Sequence, residues 1–208
     1  MGGRGTSSYS SSPNSALSDS QIKVIEEYVS GNGMDLNNIL RDPEQFGGLQ
    51  GDEIERANLL DESLTKAVPK TLYRSVDASA LFGTNFDFAN FESALLLGAK
   101  NKYAQSALDI ANSKIGKKIT NVGYMSTTRS SQIAENWGGF SGASYPVVMK
   151  ITTNKNTKGL DVSNLSEGIR RAERSDPQKE TLLARGQKYS IEKIYTKNGS
   201  IYIDTKMR

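Results

Sequence analysis

The sequence contains neither cysteine nor histidine among its 208 residues. The chain therefore has no disulfide, no thiol nucleophile, no Cys/His zinc site and no imidazole group for acid–base catalysis. Any chemistry must depend on carboxylates, hydroxyls, amides, Lys and Arg. A metal would have only oxygen ligands, and the spacing of an EF-hand loop is missing, so we expect no metal.

The sequence also lacks a long apolar run and a strong charge of one sign. Its longest apolar cluster, 94–97, is about one helical turn, so we expect no membrane span. The 26 basic and 23 acidic residues give a net charge of +3. This slight excess is typical of an ordinary solvated surface, and we expect no nucleic-acid partner. A monomer is the default expectation.

The N-terminal residues 1–17 are rich in Gly and Ser and contain few apolar residues. This composition predicts a flexible leader or linker. It has no apolar stretch of a secretory signal peptide. Three explanations stay open: a signal was removed, this domain was joined to something upstream, or the protein is not secreted by that route. Residues 18–208 are predicted to form a single domain.

Helices are predicted before most of the strands. Ser18 and Gln21 fit a capping box for a helix that ends at 31–33, and Asp35 is predicted to cap a second helix. Apolar spacing predicts further helices over 52–67, 88–113 and 130–137. Strands are predicted over 71–76, 119–125, 146–152, 160–162, 181–183, 187–195 and 200–204, with a hairpin turn at Asn198-Gly199. This order predicts an α+β fold.

No loop for binding phosphates is recognisable in the sequence. Residues 116–118 lack both the upstream Gly and the Ser/Thr of a P-loop, and no G-x-G-x-x-G follows a strand. A nucleotide would have to be held in another way. Arg74, in the predicted strand 71–76, is one candidate, since a guanidinium can grip a phosphate. The alternative interpretation is a single exposed Arg on a surface strand.

Two further polar elements stand at the ends of predicted strands. Ser126 begins a run of three hydroxyl residues, which would either orient a catalytic carboxylate or cap the helix over 130–137. Gln178 and Glu180 precede the strand 181–183, and in an extended chain they would face the same side. The alternative interpretation of this pair is a solvated loop face.

In this order the three elements resemble the mono-ADP-ribosyltransferase toxins. The resemblance is to the Arg–Ser-Thr-Ser–Glu branch, which includes the clostridial C3-like exoenzymes and the iota-type toxins. Tyr28 with the Asn-Asn-Ile-Leu-Arg of 37–41, and the Glu-Thr-Leu-Leu-Ala-Arg-Gly of 180–186, extend it over about 20–208. The sequence departs from the family pattern at Thr128, where Ser is usual, and at Ala184, where Pro is usual.

The resemblance implies an ADP-ribosyltransferase fold, in which two packed, mainly antiparallel β-sheets form an NAD cleft with an N-terminal helical lobe. It implies NAD as co-substrate, Glu180 as the catalytic carboxylate, Ser126 as the group that orients it, and Gln178 as the residue that meets the acceptor. Arg170, Arg171 and Arg174 would contact the target or the adenylate, or form a solvated basic turn. The residues implied to bind NAD are Arg74, Arg41, Ser126, Thr127, Tyr73 and Asn37.

The resemblance also implies a partner and a setting. The partner would be a host protein, modified by a bacterial or phage-encoded toxin that is secreted or delivered into the host cytoplasm. Gln at 178 favours an asparagine-type acceptor on a small GTPase of the Rho family, because one amide can pair with another. Arginine-specific transfer, NAD hydrolysis with water as the acceptor, and a non-catalytic domain that keeps the fold are the alternatives.

Overall fold

The structure is a computed structural model that describes residues 17–140, 146–175 and 178–208. The predicted leader therefore lies outside the described residues, except for Leu17. The described helices are α1 (Asp19–Glu27), α2 (Gly33–Arg41), α3 (Pro43–Phe46), α4 (Asp52–Ser63), α5 (Ala78–Phe82), α6 (Phe88–Leu96), α7 (Lys102–Asn112), α8 (Ser131–Phe140) and α9 (Glu167–Ser175). The described strands are β1 (Lys66–Ala67), β2 (Thr71–Asp77), β3 (Lys118–Thr120), β4 (Met125–Thr128), β5 (Pro146–Thr152), β6 (Lys158–Asp161), β7 (Glu180–Leu183), β8 (Lys188–Lys197) and β9 (Ser200–Met207).

The α+β prediction is confirmed, and the strand pairs among the described residues are mainly antiparallel. Hydrogen bonds link the strands in the order β1-β6-β7-β4-β2-β5-β9-β8-β3, in which β5 and β9 form a parallel pair. The order contains a four-strand group (β1, β6, β7 and β4) and a five-strand group (β2, β5, β9, β8 and β3). The two groups meet where β4 lies beside β2. There the described register contains one residue pair, Tyr73 with Thr128. We call this narrow junction the seam.

The helices pack on these strands in separate groups. The N-terminal helices α1, α2 and α4 form a lobe whose core includes Ile25, Leu36 and Leu60, packed with Leu182 of β7. Helices α5, α6 and α7 cover the five-strand group, and Phe91 is fully buried there. The lobe thus lies against the strand that begins at the predicted catalytic carboxylate.

The first helix of the lobe begins as the sequence predicts, but the second does not. Ser18 caps α1 and forms a capping box with Gln21. After α1 a π-helical turn over Tyr28–Asn32 breaks at Gly31, whose φ of 118° favours a residue without a Cβ. Asp35 lies inside the first turn of α2, which already begins at Gly33, so its predicted capping role is wrong.

Three predicted elements have different bounds in the structure. The helix over 52–67 ends at Ser63, and Lys66–Ala67 forms a short strand that pairs with β6. The helical region over 88–113 is two helices, because the chain turns at Gly98 with φ 67°. The strand predicted over 119–125 is divided in two, since β3 ends at Thr120 and β4 begins only at Met125. The three hydroxyl residues 126–128 belong to β4.

Residues 170 and 171, for which a solvated basic turn was one of two interpretations, belong to the helix α9 between β6 and β7. In the part of the chain that the structure describes, no helix is both long and apolar enough to cross a membrane.

Candidate active site

A cleft of about 1030 Å³ separates the helical lobe from the strands. Tyr28, Asn37 and Arg41 line it from the lobe, and Arg74 and Ser126 line it from β2 and β4. The fold therefore brings together residues that are far apart in sequence, on two sides of one opening. Four of these five were predicted to take part in NAD binding or catalysis.

Two guanidinium groups act on each other across this cleft. Arg74 is half-buried on β2, and its Nη1 donates to the carbonyl of Ser126 at 3.4 Å across the seam. Burial lowers the pKa of Arg74, and the charge of Arg41 lowers it further. Both groups still carry a charge at neutral pH, because an arginine does not lose its proton in proteins. Two like charges facing one cleft favour an anionic ligand.

Ser126 and Glu180 lie on neighbouring strands of the four-strand group. Thr128 pairs with Glu180 and Ser126 pairs with Leu182 in the antiparallel ladder. Paired residues point to the same face, so Ser126 is the diagonal neighbour of Glu180 on the lobe side. Glu180 is 8% exposed. Glu180 is not among the residues that line the cleft, but it lies on the strand next to Ser126, which does line it.

The backbone before Glu180 is not extended. Lys179 has φ 52°, and β7 begins only at Glu180. Gln178 and Glu180 therefore do not meet the condition under which they were predicted to share a face. The carbonyl of Gln178 is held by Thr128 Oγ1 at 2.6 Å. The preceding residues 176 and 177 lie outside the described residues.

Asn37 is buried and bonded within the chain. Its Oδ1 accepts from the backbone N–H of Tyr124 at 2.8 Å, and its Nδ2 donates to the carbonyl of Tyr124 at 3.2 Å. Nδ2 also donates to the hydroxyl of Tyr28 at 2.5 Å. Asn37 thus fixes α2 against Tyr124, two positions before Ser126, and it forms part of the cleft wall itself.

Two residues predicted to bind NAD point away from the cleft lining. Tyr73 packs with Ala134, Val148 and Tyr202 on the other face of β2 from Arg74. Thr127 is fully buried, and its Oγ1 donates to the carbonyl of Thr181 at 2.5 Å. Both therefore support neighbouring strands, and we assign neither a cofactor contact.

Below the cleft, an ion pair joins the lobe to the end of β7. Arg185 donates from Nη2 to Asp61 Oδ2 at 2.7 Å, and Asp61 Oδ1 lies 2.8 Å from the Tyr124 hydroxyl. Burial and the Asp61 carboxylate raise the pKa of Tyr124, so the hydroxyl stays protonated at neutral pH. The sequence showed Arg185 as a family match, but nothing in it indicated Asp61 as the partner.

The arginines of α9 are exposed. Arg170 and Arg171 both pair with Glu167, at 2.9 Å and 3.3 Å, one turn earlier on the same helix. Such exposed pairs contribute little stability. The side chain of Arg174 lies outside the described residues.

Comparisons with known proteins decide the family. A sequence model of the ADP-ribosyltransferase exoenzyme family matches residues 5–207. The chain belongs to this family. This ADP-ribosyltransferase transfers ADP-ribose from NAD, as the family does, and members of the family are secreted bacterial toxins that act on host proteins. No curated protein sequence matches the chain.

The fold of this ADP-ribosyltransferase resembles several solved structures. A C3-type ADP-ribosyltransferase from Clostridium botulinum is 25% identical with a TM-score of 0.66, over 92% of this chain and 88% of that one. An ADP-ribosyltransferase toxin from Paenibacillus larvae is 24% identical with a TM-score of 0.64, over 92% and 87%. The Clostridium limosum C3 exoenzyme is 22% identical with a TM-score of 0.65, over 92% and 86%.

A glycine keeps the cleft wall of this ADP-ribosyltransferase in place, and its substitution gives a testable prediction. A Cβ on Gly123 would lie 2.5 Å from Asn37 Oδ1 and 3.4 Å from Arg41 Nε. We expect Gly123→Ala to displace Asn37, to lower the free energy of unfolding by about 1–3 kcal/mol, and to weaken NAD binding through Arg41.

Urea unfolding and calorimetric titration with NAD measure the two effects. Gly168→Ala on α9 is the matched control, because its Cβ would meet only the end of the Glu26 side chain, at 3.3 Å, and the Ser166 hydroxyl, at 3.8 Å. Equal stability of the two variants would contradict the prediction.

Proposed function

We propose that this enzyme modifies a side chain of a host protein, with residues 18–208 acting as one catalytic domain. The observation that carries the proposal is the convergence of Arg41 and Arg74 on one cleft, with Ser126 beside them and Glu180 on the next strand. The two cations fit the diphosphate of NAD. Ser126 and Glu180 would then meet the ribose that reacts.

Each residue has a role that its charge and position support. When NAD is bound, its bond between C1′ of the ribose and nicotinamide breaks, and nicotinamide leaves as a neutral molecule with the bonding electrons. Glu180 stabilises the positive charge that develops on the ribose as this bond breaks, as a carboxylate does in glycoside hydrolysis. The side-chain nitrogen of the acceptor forms the new bond to C1′ and releases a proton to solvent. Ser126 orients Glu180, and Arg41 and Arg74 hold the phosphates. No general acid is needed, which suits a protein without histidine.

Gln178 supports an amide acceptor. Its side chain is half-buried, and its carbonyl is fixed next to the start of β7, so an acceptor that reaches Glu180 must pass near it. An amide both donates and accepts, and it matches the amide of asparagine better than a guanidinium, which only donates. We therefore propose an asparagine of a Rho-family GTPase as the acceptor, and delivery into the host cytoplasm as the setting.

Labelled NAD and host-cell lysate test this function. With NAD labelled in its adenylate half, we expect a labelled host protein with the natural enzyme and none with Glu180→Gln. Release of nicotinamide is followed in the same tube. Nicotinamide without labelled protein would favour NAD hydrolysis, and the lack of both products would favour a non-catalytic domain.

The stability of the linkage identifies the acceptor residue. We expect the labelled band to survive neutral hydroxylamine, because an asparagine linkage resists a reagent that cleaves arginine linkages. Recombinant Rho-family GTPase replaces lysate in the second arm, and an Asn→Ala variant of it is the control. Loss of label in hydroxylamine would overturn the asparagine assignment in favour of arginine.

A further inference from the structure

Tyr189 differs from the other buried tyrosines of the described residues. The hydroxyls of Tyr28, Tyr124 and Tyr202 are all hydrogen-bonded within the chain. Tyr189 is 6% exposed, its ring packs in the core under the five-strand group, and it lines the cleft. Within the described ranges no group of the chain bonds its hydroxyl, and this oxygen is not among the fully enclosed atoms without a partner, so it opens to the cleft. A hydroxyl that opens to the cleft and has no partner within the chain is free to donate to a ligand bound there, in place of water.

The charges around Tyr189 indicate the kind of ligand. The guanidinium groups of Arg74 and Arg41 both act on its hydroxyl and lower its pKa, while the larger effect of burial raises it. The hydroxyl is therefore protonated at neutral pH and available as a donor. A ligand that accepts a hydrogen bond and carries negative charge would suit both the Tyr189 hydroxyl and the two cations, Arg41 and Arg74, that line the same cleft.

We propose that Tyr189 contacts the diphosphate of NAD, donating from its hydroxyl to a phosphate oxygen that Arg41 and Arg74 neutralise. This inference rests on the proposed function, because it assigns a further residue to the same cleft. Tyr189 lies outside the motifs that carry the family resemblance. Its place on β8 extends the binding surface to a strand that supplies none of the predicted site residues.

The Tyr189→Phe variant tests the contact while keeping the buried ring. A hydrogen bond to a charged group has a free energy equivalent to about tenfold or more in affinity. We expect Tyr189→Phe to weaken the binding of both NAD and ADP in calorimetric titrations by about tenfold, with an unchanged melting temperature. Adenosine, which carries no phosphate, should bind both proteins alike.

Tyr195→Phe is the matched control, since it removes a hydroxyl from the same strand. A β-bulge between Ile191 and Lys193 shifts the alternation of β8. Tyr195 therefore packs on the opposite face, where its hydroxyl bonds Asp204 at 3.0 Å. We expect the natural affinity for NAD in this variant.

The outcomes separate the two proposals. If the natural enzyme binds NAD and Tyr189→Phe binds it equally well, the contact is refuted and the proposed function stands. If adenosine binding falls together with that of NAD and ADP, the assignment to the diphosphate is refuted. If the natural enzyme binds no NAD, both proposals are overturned.

Discussion

Glu180→Gln is expected to lower the rate of nicotinamide release from NAD by about 10²–10³-fold, the usual effect of removing a principal electrostatic stabiliser. The amide has the shape of the carboxylate but lacks the charge that stabilises the ribose cation. Glu180 is 8% exposed, so solvent screens that charge little. Arg41 and Arg74 remain, and we expect the loss in kcat with little change in KM for NAD.

Glu62→Gln is the matched control for this variant. Glu62 is exposed on α4, and the same charge is removed there at a distance from the cleft lining. Steady-state assays of nicotinamide release then compare two proteins of equal net charge. A kcat for Glu180→Gln equal to that of Glu62→Gln would refute the catalytic assignment.

Tyr124→Ala is expected to cost about 3–5 kcal/mol of unfolding free energy, as the truncation of other large core aromatics does. Tyr124 is fully buried. Its ring meets Tyr28 edge-on at 5.7 Å, and its hydroxyl lies 2.8 Å from Asp61 and from the carbonyl of Ala57. The change would therefore remove a large part of the stability of a typical domain, about 5–15 kcal/mol.

Tyr124→Phe separates the packing from the hydrogen bond. The ring stays, and Arg185 still pairs with Asp61, so we expect a loss of only about 1 kcal/mol. Urea unfolding at neutral pH measures both variants. Equal losses for Ala and Phe would show that the hydroxyl, and not the packing of the ring, holds the lobe in place.

The sequence predicts this fold well where local signals agree with the tertiary contacts. Asn198-Gly199 adopts the positive φ angles of a tight hairpin, 52° and 77°, as that pair of residues predicts. Strand 119–125 fails because its side chains serve other contacts. Asn121 Nδ2 donates to the carbonyl of Gly123 at 2.5 Å, and Asn37 pairs with the backbone of Tyr124. The local sequence pattern of 119–125 cannot show that Tyr124 has a hydrogen-bond partner on the distant helix α2.

The candidate site, like the fold, was predicted from the sequence only in part. Arg74, Ser126 and Glu180 were predicted because their order along the chain carries the family resemblance. Tyr73 and Thr127 are the sequence neighbours of Arg74 and Ser126. Because alternate residues of a strand face opposite sides, each lies on the other face of its own strand from that neighbour. Tyr189, which we propose as a further contact, was not predicted because a lone tyrosine in an apolar strand has the pattern of an ordinary core residue.

The proposed catalysis requires both strand groups, because the side chains assigned to it lie on both sides of the seam. Arg74 belongs to the five-strand group, whereas Ser126 and Glu180 belong to the four-strand group, and the groups meet at Tyr73 and Thr128. In the proposed mechanism neither half of the molecule contains all the side chains that act on NAD, so we expect a partly refolded intermediate to be inactive. Return of nicotinamide release after dilution from denaturant would therefore time the last step of assembly, after the recovery of secondary structure.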